Sequence, residues 1–169
     1  MKIIITLSFL SLFLLSACQQ SEPEQLVEVV QETMTTIEVY RSPNCHCCHK
    51  WINHLEDKQF TVIDKLTHDM ASIKEHVNLP KQMASCHTAI IDGYIVEGHV
   101  PADDITRLLA EKPDIAGLSV PKMPVGTPGM EMGERKDPFI VFQFDKAGKY
   151  SIFSEYTPDD ANQYQHKAH

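Results

Sequence analysis

The chain has 169 residues, 43% hydrophobic and 22% charged, with 7 Gly, 10 Pro and a formal net charge of −8. This composition excludes a collagen, a charged disordered tail and a polytopic membrane protein, and the negative balance argues against a nucleic-acid partner. The unusual residues are five Cys, nine His and seven Met, all bearing soft or borderline metal-ligating atoms.

Lys2 precedes an apolar run from Ile3 to Leu15, interrupted by Thr6, Ser8 and Ser11. A spanning helix needs roughly 20 apolar residues, so the run fits the hydrophobic part of a secretory signal better. It ends in Leu15-Ser16-Ala17-Cys18, which resembles the bacterial lipobox. Residues 1–17 are therefore expected to be a lipoprotein signal and Cys18 the lipidated residue, anchoring the protein to a membrane. The expected place is the cell envelope, facing the periplasm, with Gln19 pointing to the outer membrane. The polar, acidic stretch 18–35 reads as a flexible tether.

Thr36 to Tyr40 alternates polar and apolar residues, which predicts a strand. Ser42-Pro43-Asn44 breaks it, and Cys48, Trp51, Ile52 and Leu55 then recur at helical spacing over 45–59, with Asn44 or Ser42 as the expected cap. Residues 60–66 read as a second strand and 69–77 as a short helix. Strands over 88–91 and 94–96 are joined at Asp92-Gly93, a strong hairpin signal. A helix starting at Pro101 carries Asp103 and Asp104 near its positive end and stops by Pro113. Residues 117–133 form a Pro/Gly/Met-rich loop, and 139–144 with 149–153 form a closing hairpin. The expected fold class is α/β: a thioredoxin-like mixed sheet flanked by helices over 36–156, extended by that loop and hairpin. Residues 157–169 are expected to be a disordered tail.

The chemistry lies on cysteines. Cys45-His46-Cys47-Cys48 places three thiols at a strand-to-helix turn, where exposed N–H groups and the helix dipole stabilise thiolates. Cys45 and Cys48 fit a Cys-X-X-Cys redox pair, but Cys47 adds nothing to a simple dithiol couple. Three thiolates beside Met-rich sequence suit monovalent copper, while a structural zinc site usually takes two well-separated pairs. Cys86 and His87 lie just before the third strand, within reach of the thiols in the expected fold. An isolated core thiol is the alternative for Cys86. His99 is a ligand candidate or a capping histidine, and Gly98 leaves room for close approach. Met123, Met130 and Met132 lie in the loop, without helical or strand periodicity.

Together these segments resemble the CopG-like family of small periplasmic metal-binding proteins, long described as a domain of unknown function. The resemblance rests on Ser42 to Cys48 with Trp51, Ser85 to Ala89, Asp92 to Tyr94, Glu97 to Pro101, and Gly117-Leu118 through Met123-Pro124 to Gly126–Glu131. It covers roughly residues 36–156. It implies export, a thioredoxin-like fold and copper handling or resistance. It also implies Cu(I), in one or several ions, held by Cys45, Cys47, Cys48, Cys86 and His87, with His99, Met123 and Met130 as further ligands. Cu(I)/Cu(II) cycling belongs to the same expectation, while the sequence leaves the partner open between a copper chaperone, an efflux component and an oxidase assembly factor. The family usually has Gly where this chain has His46. Three functions thus stand at this point: copper binding, thiol–disulfide exchange through Cys45 and Cys48, and a zinc module.

Overall fold

The computed structural model describes residues 35–169. The signal segment 1–17, Cys18 and the tether up to residue 34 lie outside the described residues. Eight strands form one mixed sheet: β1 (Thr36–Arg41), β2 (Thr61–Leu66), β3 (Thr88–Ile91), β4 (Tyr94–Glu97), β5 (Gly117–Ser119), β6 (Phe139–Phe144), β7 (Tyr150–Pro158) and β8 (Tyr164–Ala168). Their order is β2-β1-β3-β4-β5-β6-β7-β8. The β1–β2 and β4–β5 pairs are parallel and the others antiparallel. Three helices join them: α1 (His46–Asp57), α2 (Met70–His76) and α3 (Ala102–Glu111). None of these helices is long and apolar enough to cross a membrane.

The apolar periodicities do the work expected of them. Ile37 and Val39 of β1, Trp51, Ile52 and Leu55 of α1, and Ile105 and Leu108 of α3 enter one buried cluster. The α1 stripe recurs every three or four residues, which places it on one helix face. Trp51 is fully buried, and its indole N–H donates to Val100 O at 2.8 Å, so the polar end of this large side chain is satisfied. Between β3 and β4, Asp92 and Gly93 both have positive φ, as the tight hairpin turn requires. That two-residue turn sets the register and puts Thr88 opposite Glu97.

Four expectations are corrected. The α1 cap is Cys45, whose sulfur accepts from the Cys48 N–H at 3.3 Å; neither Asn44 nor Ser42 fills that place. The segment read as a loop from 117 begins with β5, because Gly117 to Ser119 completes the sheet beside β4. A Cβ at Gly117 would lie 1.9 Å from Ile95 O, so only glycine fits there. The closing strand runs to Pro158, and the tail expected to be disordered contains β8, paired along β7 from Ser154 to Pro158. Its aromatic residue explains the order. Tyr164 packs edge-on to Phe139 and Tyr156, and its hydroxyl donates to Asp137 O at 2.9 Å.

Candidate metal centre

Four segments converge at one end of β1, β3 and β4: the start of α1, the turn before β3, the turn after β4, and the loop following β5. Cys45 caps α1, while Cys47 and Cys48 lie in its first turn. Cys45 and Cys48 are joined as a disulfide, and Cys47 Sγ lies 3.5 Å from Cys45 Sγ. Cys86 is brought to the same place by β3. The sulfurs of Cys45, Cys47, Cys48 and Cys86 all lie within 4.8 Å of one another. Residues 38 positions apart in sequence thus make one sulfur cluster.

A second group shares Cys86. Its sulfur lies 3.3 Å from His87 Nδ1 and 3.2 Å from His99 Nε2. His99 Nδ1 lies 2.7 Å from Pro128 O. A carbonyl can only accept, so Nδ1 carries the proton and Nε2 turns its lone pair toward the sulfur. His87 is fully buried between two rings, with Trp51 at 4.4 Å and His99 at 5.0 Å between centroids. Its Nε2 has no hydrogen-bond partner among the described residues.

Burial sets the protonation of this group. It holds His87 well below the ordinary imidazole range, with the neighbouring His99 adding to the effect. It also lowers His99, against the opposing contact with Pro128. Both rings are neutral, the form that ligates metals. Burial, reinforced by Cys47, pushes the Cys86 thiol up to about 12, so a metal entering here must displace its proton. Sulfur donors, neutral imidazoles and one polar atom left unmet by the fold suit a soft cation rather than a hard one.

The Met-bearing loop is fixed over this end. The Thr127 hydroxyl donates to Pro124 O, Met130 N–H to Thr127 O and Gly126 N–H to Met130 O. Gly129, at φ +82, sits against α1: a Cβ there would lie 2.7 Å from Trp51 N and 2.8 Å from Cys47 O. Met130 follows directly and is half-buried, whereas Met123 is 49% and Met132 64% exposed. Of the expected ligands, the fold therefore gathers Cys45, Cys47, Cys48, Cys86, His87 and His99, places Met130 one residue after the Gly129 contact with α1, and leaves Met123 exposed. His46 and His49 are exposed. His54, given no role by the sequence, accepts the Ala102 N–H at 3.1 Å and so caps α3.

Residues 83–130 match the family described as protein of unknown function, DUF411. Among curated proteins none matches. A solved structure of copper resistance protein CopG, form 2, is 47% identical; the match covers 73% of this chain and 98% of that one, with a TM-score of 0.70. A second, form 1, is 49% identical over 72% of this chain and 96% of that one, with a TM-score of 0.68. The chain belongs to the CopG copper-resistance family. Its Cys cluster and Cys-His group are compatible with copper binding in that setting. The segment matched by the DUF411 family contains Cys86, His87, His99, Met123 and Met130.

Two contributors escaped the sequence reading. The Pro128 carbonyl carries no side-chain signal at all. The stacking of Trp51 on His87 was open to inference, because Trp51 lies one turn after Cys47-Cys48 on the apolar face of the same helix.

Proposed function

We propose that this CopG-family protein binds copper as Cu(I) in the cell envelope and thereby serves copper resistance. The observation that carries the reading is the arrival of Cys86 among the sulfurs of Cys45, Cys47 and Cys48, with two neutral histidines behind it. Cys86 belongs to both donor groups, and a thiolate shared in this way can bridge more than one ion. His99 and His87 supply nitrogen donors, and Met130 is the better placed thioether, with Met123 at the outer edge. The reduced form is the binding form: the Cys45–Cys48 disulfide must first take up two electrons and two protons from a thiol reductant. Cycling between Cu(I) and Cu(II) is part of the same proposal. The strand order β2-β1-β3-β4, with α1 after β1 and α2 after β2, supports a thioredoxin-like reading of this half of the sheet. Cys18 would tether the domain to the outer membrane, where a copper chaperone or an efflux component is the natural partner.

Anaerobic titration of the reduced full chain with Cu(I), against a chromophoric competitor, tests the central point. Stoichiometric tight uptake is expected, and it is lost when Cys45, Cys47 and Cys48 are all replaced by Ser. Tight uptake by that triple variant overturns the reading.

The disulfide at the start of α1 favours a second function, thiol–disulfide exchange with Cys45 attacking and Cys48 resolving. Insulin reduction that persists with a copper chelator, and disappears with Cys45→Ser or Cys48→Ser, would establish it.

A further inference from the structure

Glu97 is fully buried at the end of β4, two residues before His99. Its carboxylate is enclosed by three donors from three segments. The Ser85 N–H donates to Oε1 at 2.6 Å, and the Thr88 hydroxyl donates to Oε2 at 2.7 Å. The Lys74 ammonium, from α2, donates to Oε1 and also to the Thr88 hydroxyl at 3.0 Å. Ser85 and Thr88 flank Cys86-His87 on either side. One carboxylate therefore grips both ends of the dipeptide that supplies a sulfur and an imidazole to the centre. Backbone bonds continue the grip: Gly98 N–H donates to His87 O, and Val120 N–H to Glu97 O. Gly98, at φ +72, admits this approach because a Cβ there would lie 2.5 Å from Ser85 Oγ.

Sheet packing alone does not call for a charged pair here. Burial opposes ionisation of Glu97, and Lys74 must be drawn in from a half-buried position to offset it. An apolar pair would close the same space at lower cost. What the carboxylate supplies that an apolar side chain cannot is a fixed acceptor for a backbone N–H and a hydroxyl at set positions.

We propose that Glu97, supported by Lys74, is a positioning residue that holds Cys86, His87 and His99 in their mutual arrangement. It touches no metal itself; it acts through the donors on either side of it. This role rests on the copper-binding reading, but the geometry it maintains exists before any ion arrives. Outer partners of metal ligands commonly account for about 10- to 100-fold in affinity.

The test uses the full chain and two readouts. In the oxidised apoprotein, with the Cys45–Cys48 disulfide intact, Cys47 and Cys86 are the free thiols among the described residues. Iodoacetamide labelling, located by peptide mass spectrometry, follows each separately. Glu97→Ala is expected to raise the Cys86 rate by about tenfold, because the loop loses its acceptor, while Cys47 on α1 keeps its rate. Glu97→Gln, which keeps the shape and one acceptor oxygen, recovers much of the protection. In the reduced protein, Glu97→Ala weakens Cu(I) binding by about tenfold or more, with partial rescue by Glu97→Gln. An unchanged Cys86 rate, or an equal rise at Cys47 and Cys86, contradicts the positioning role. If the wild-type protein takes up no copper, the proposed function fails on its own, and the labelling still judges Glu97.

Discussion

Two buried carboxylates divide the molecule. Glu97 lies at the sulfur end, and Asp104 lies where α3 meets the C-terminal strands. Both are almost wholly removed from water. Around Asp104 both carboxylate oxygens are answered: Ser154 Oγ donates to Oδ1 at 2.5 Å, Tyr156 OH donates to Oδ2 at 2.7 Å, and the Arg107 guanidinium donates through Nη2 to Phe153 O and Ser154 Oγ while covering the Phe153 ring, its Nε lacking a partner among the described residues. Burial pushes the Tyr156 hydroxyl upward and keeps it a donor. Its hydrogen bonds among the described residues involve no sulfur, His166 Nε2 lies 3.2 Å from Ser154 Oγ, and the cluster fastens β7 to α3. Around Glu97 the bonds instead converge on a dipeptide whose Cys86 Sγ lies among the α1 sulfurs and against His87 Nδ1 and His99 Nε2, and whose His87 Nε2 has no hydrogen-bond partner among the described residues. A buried network whose bonds run from helix to strand holds a fold together. One that fixes both ends of a dipeptide lining a cluster of sulfurs and imidazoles holds that cluster in shape.

Breaking the Asp104 side should therefore cost stability without touching copper. Asp104→Asn removes the charge from two hydroxyl contacts and is expected to destabilise the protein by about 1.5–3 kcal/mol in denaturant unfolding. Its Cu(I) affinity should match the parent. A parallel loss of affinity would mean that the two networks are not separable.

His54 sharpens the contrast more gently, because it ties α1 to α3 between the two regions. Its Nε2 accepts the Ala102 N–H, so it must be unprotonated there. Burial, followed by the charge of Lys58, lowers it from the ordinary value of 6.5. His54→Ala should cost about 1 kcal/mol at pH 8, the worth of a helix cap. As pH falls through 6.5 the unfolded chain takes up a proton that the fold resists, so the parent loses this contribution. The difference between parent and variant in unfolding free energy should then shrink. A difference that stays constant from pH 8 to pH 5 would show that His54 is only filling space.

Much of this was legible in the sequence. The helical stripe from Cys48 to Leu55, the alternation in β1 and the Asp92-Gly93 turn each follow from local chemistry, and the fold adopts all three. The gathering of Cys86, His87 and His99 on the α1 thiols follows from where the strands deliver them. The β3–β4 register was equally readable, and counting back from the two-residue turn sets Thr88 against Glu97. The grip on Cys86-His87 was missed because a Glu in a strand reads as a solvent-facing position. Asp104 was read as a helix-dipole residue for a similar reason, but it turns inward to partners 50 residues later. The order in 157–169 was hidden by its polar composition. Its stability comes from pairing along β7 and from one aromatic anchor, Tyr164, that also steadies the loop through contact with Val125 O at 3.3 Å.

The central claim is that Cys86 completes a single soft-cation pocket with the sulfurs at 45, 47 and 48. X-ray absorption at the copper edge, on the Cu(I)-loaded protein and on Cys86→Ser, tests it most directly. The parent should show a mainly sulfur first shell with a minor nitrogen share. Cys86→Ser should lose sulfur and nitrogen together, because Cys86 stands between the thiols and both imidazoles. Identical spectra from the two proteins would contradict the claim.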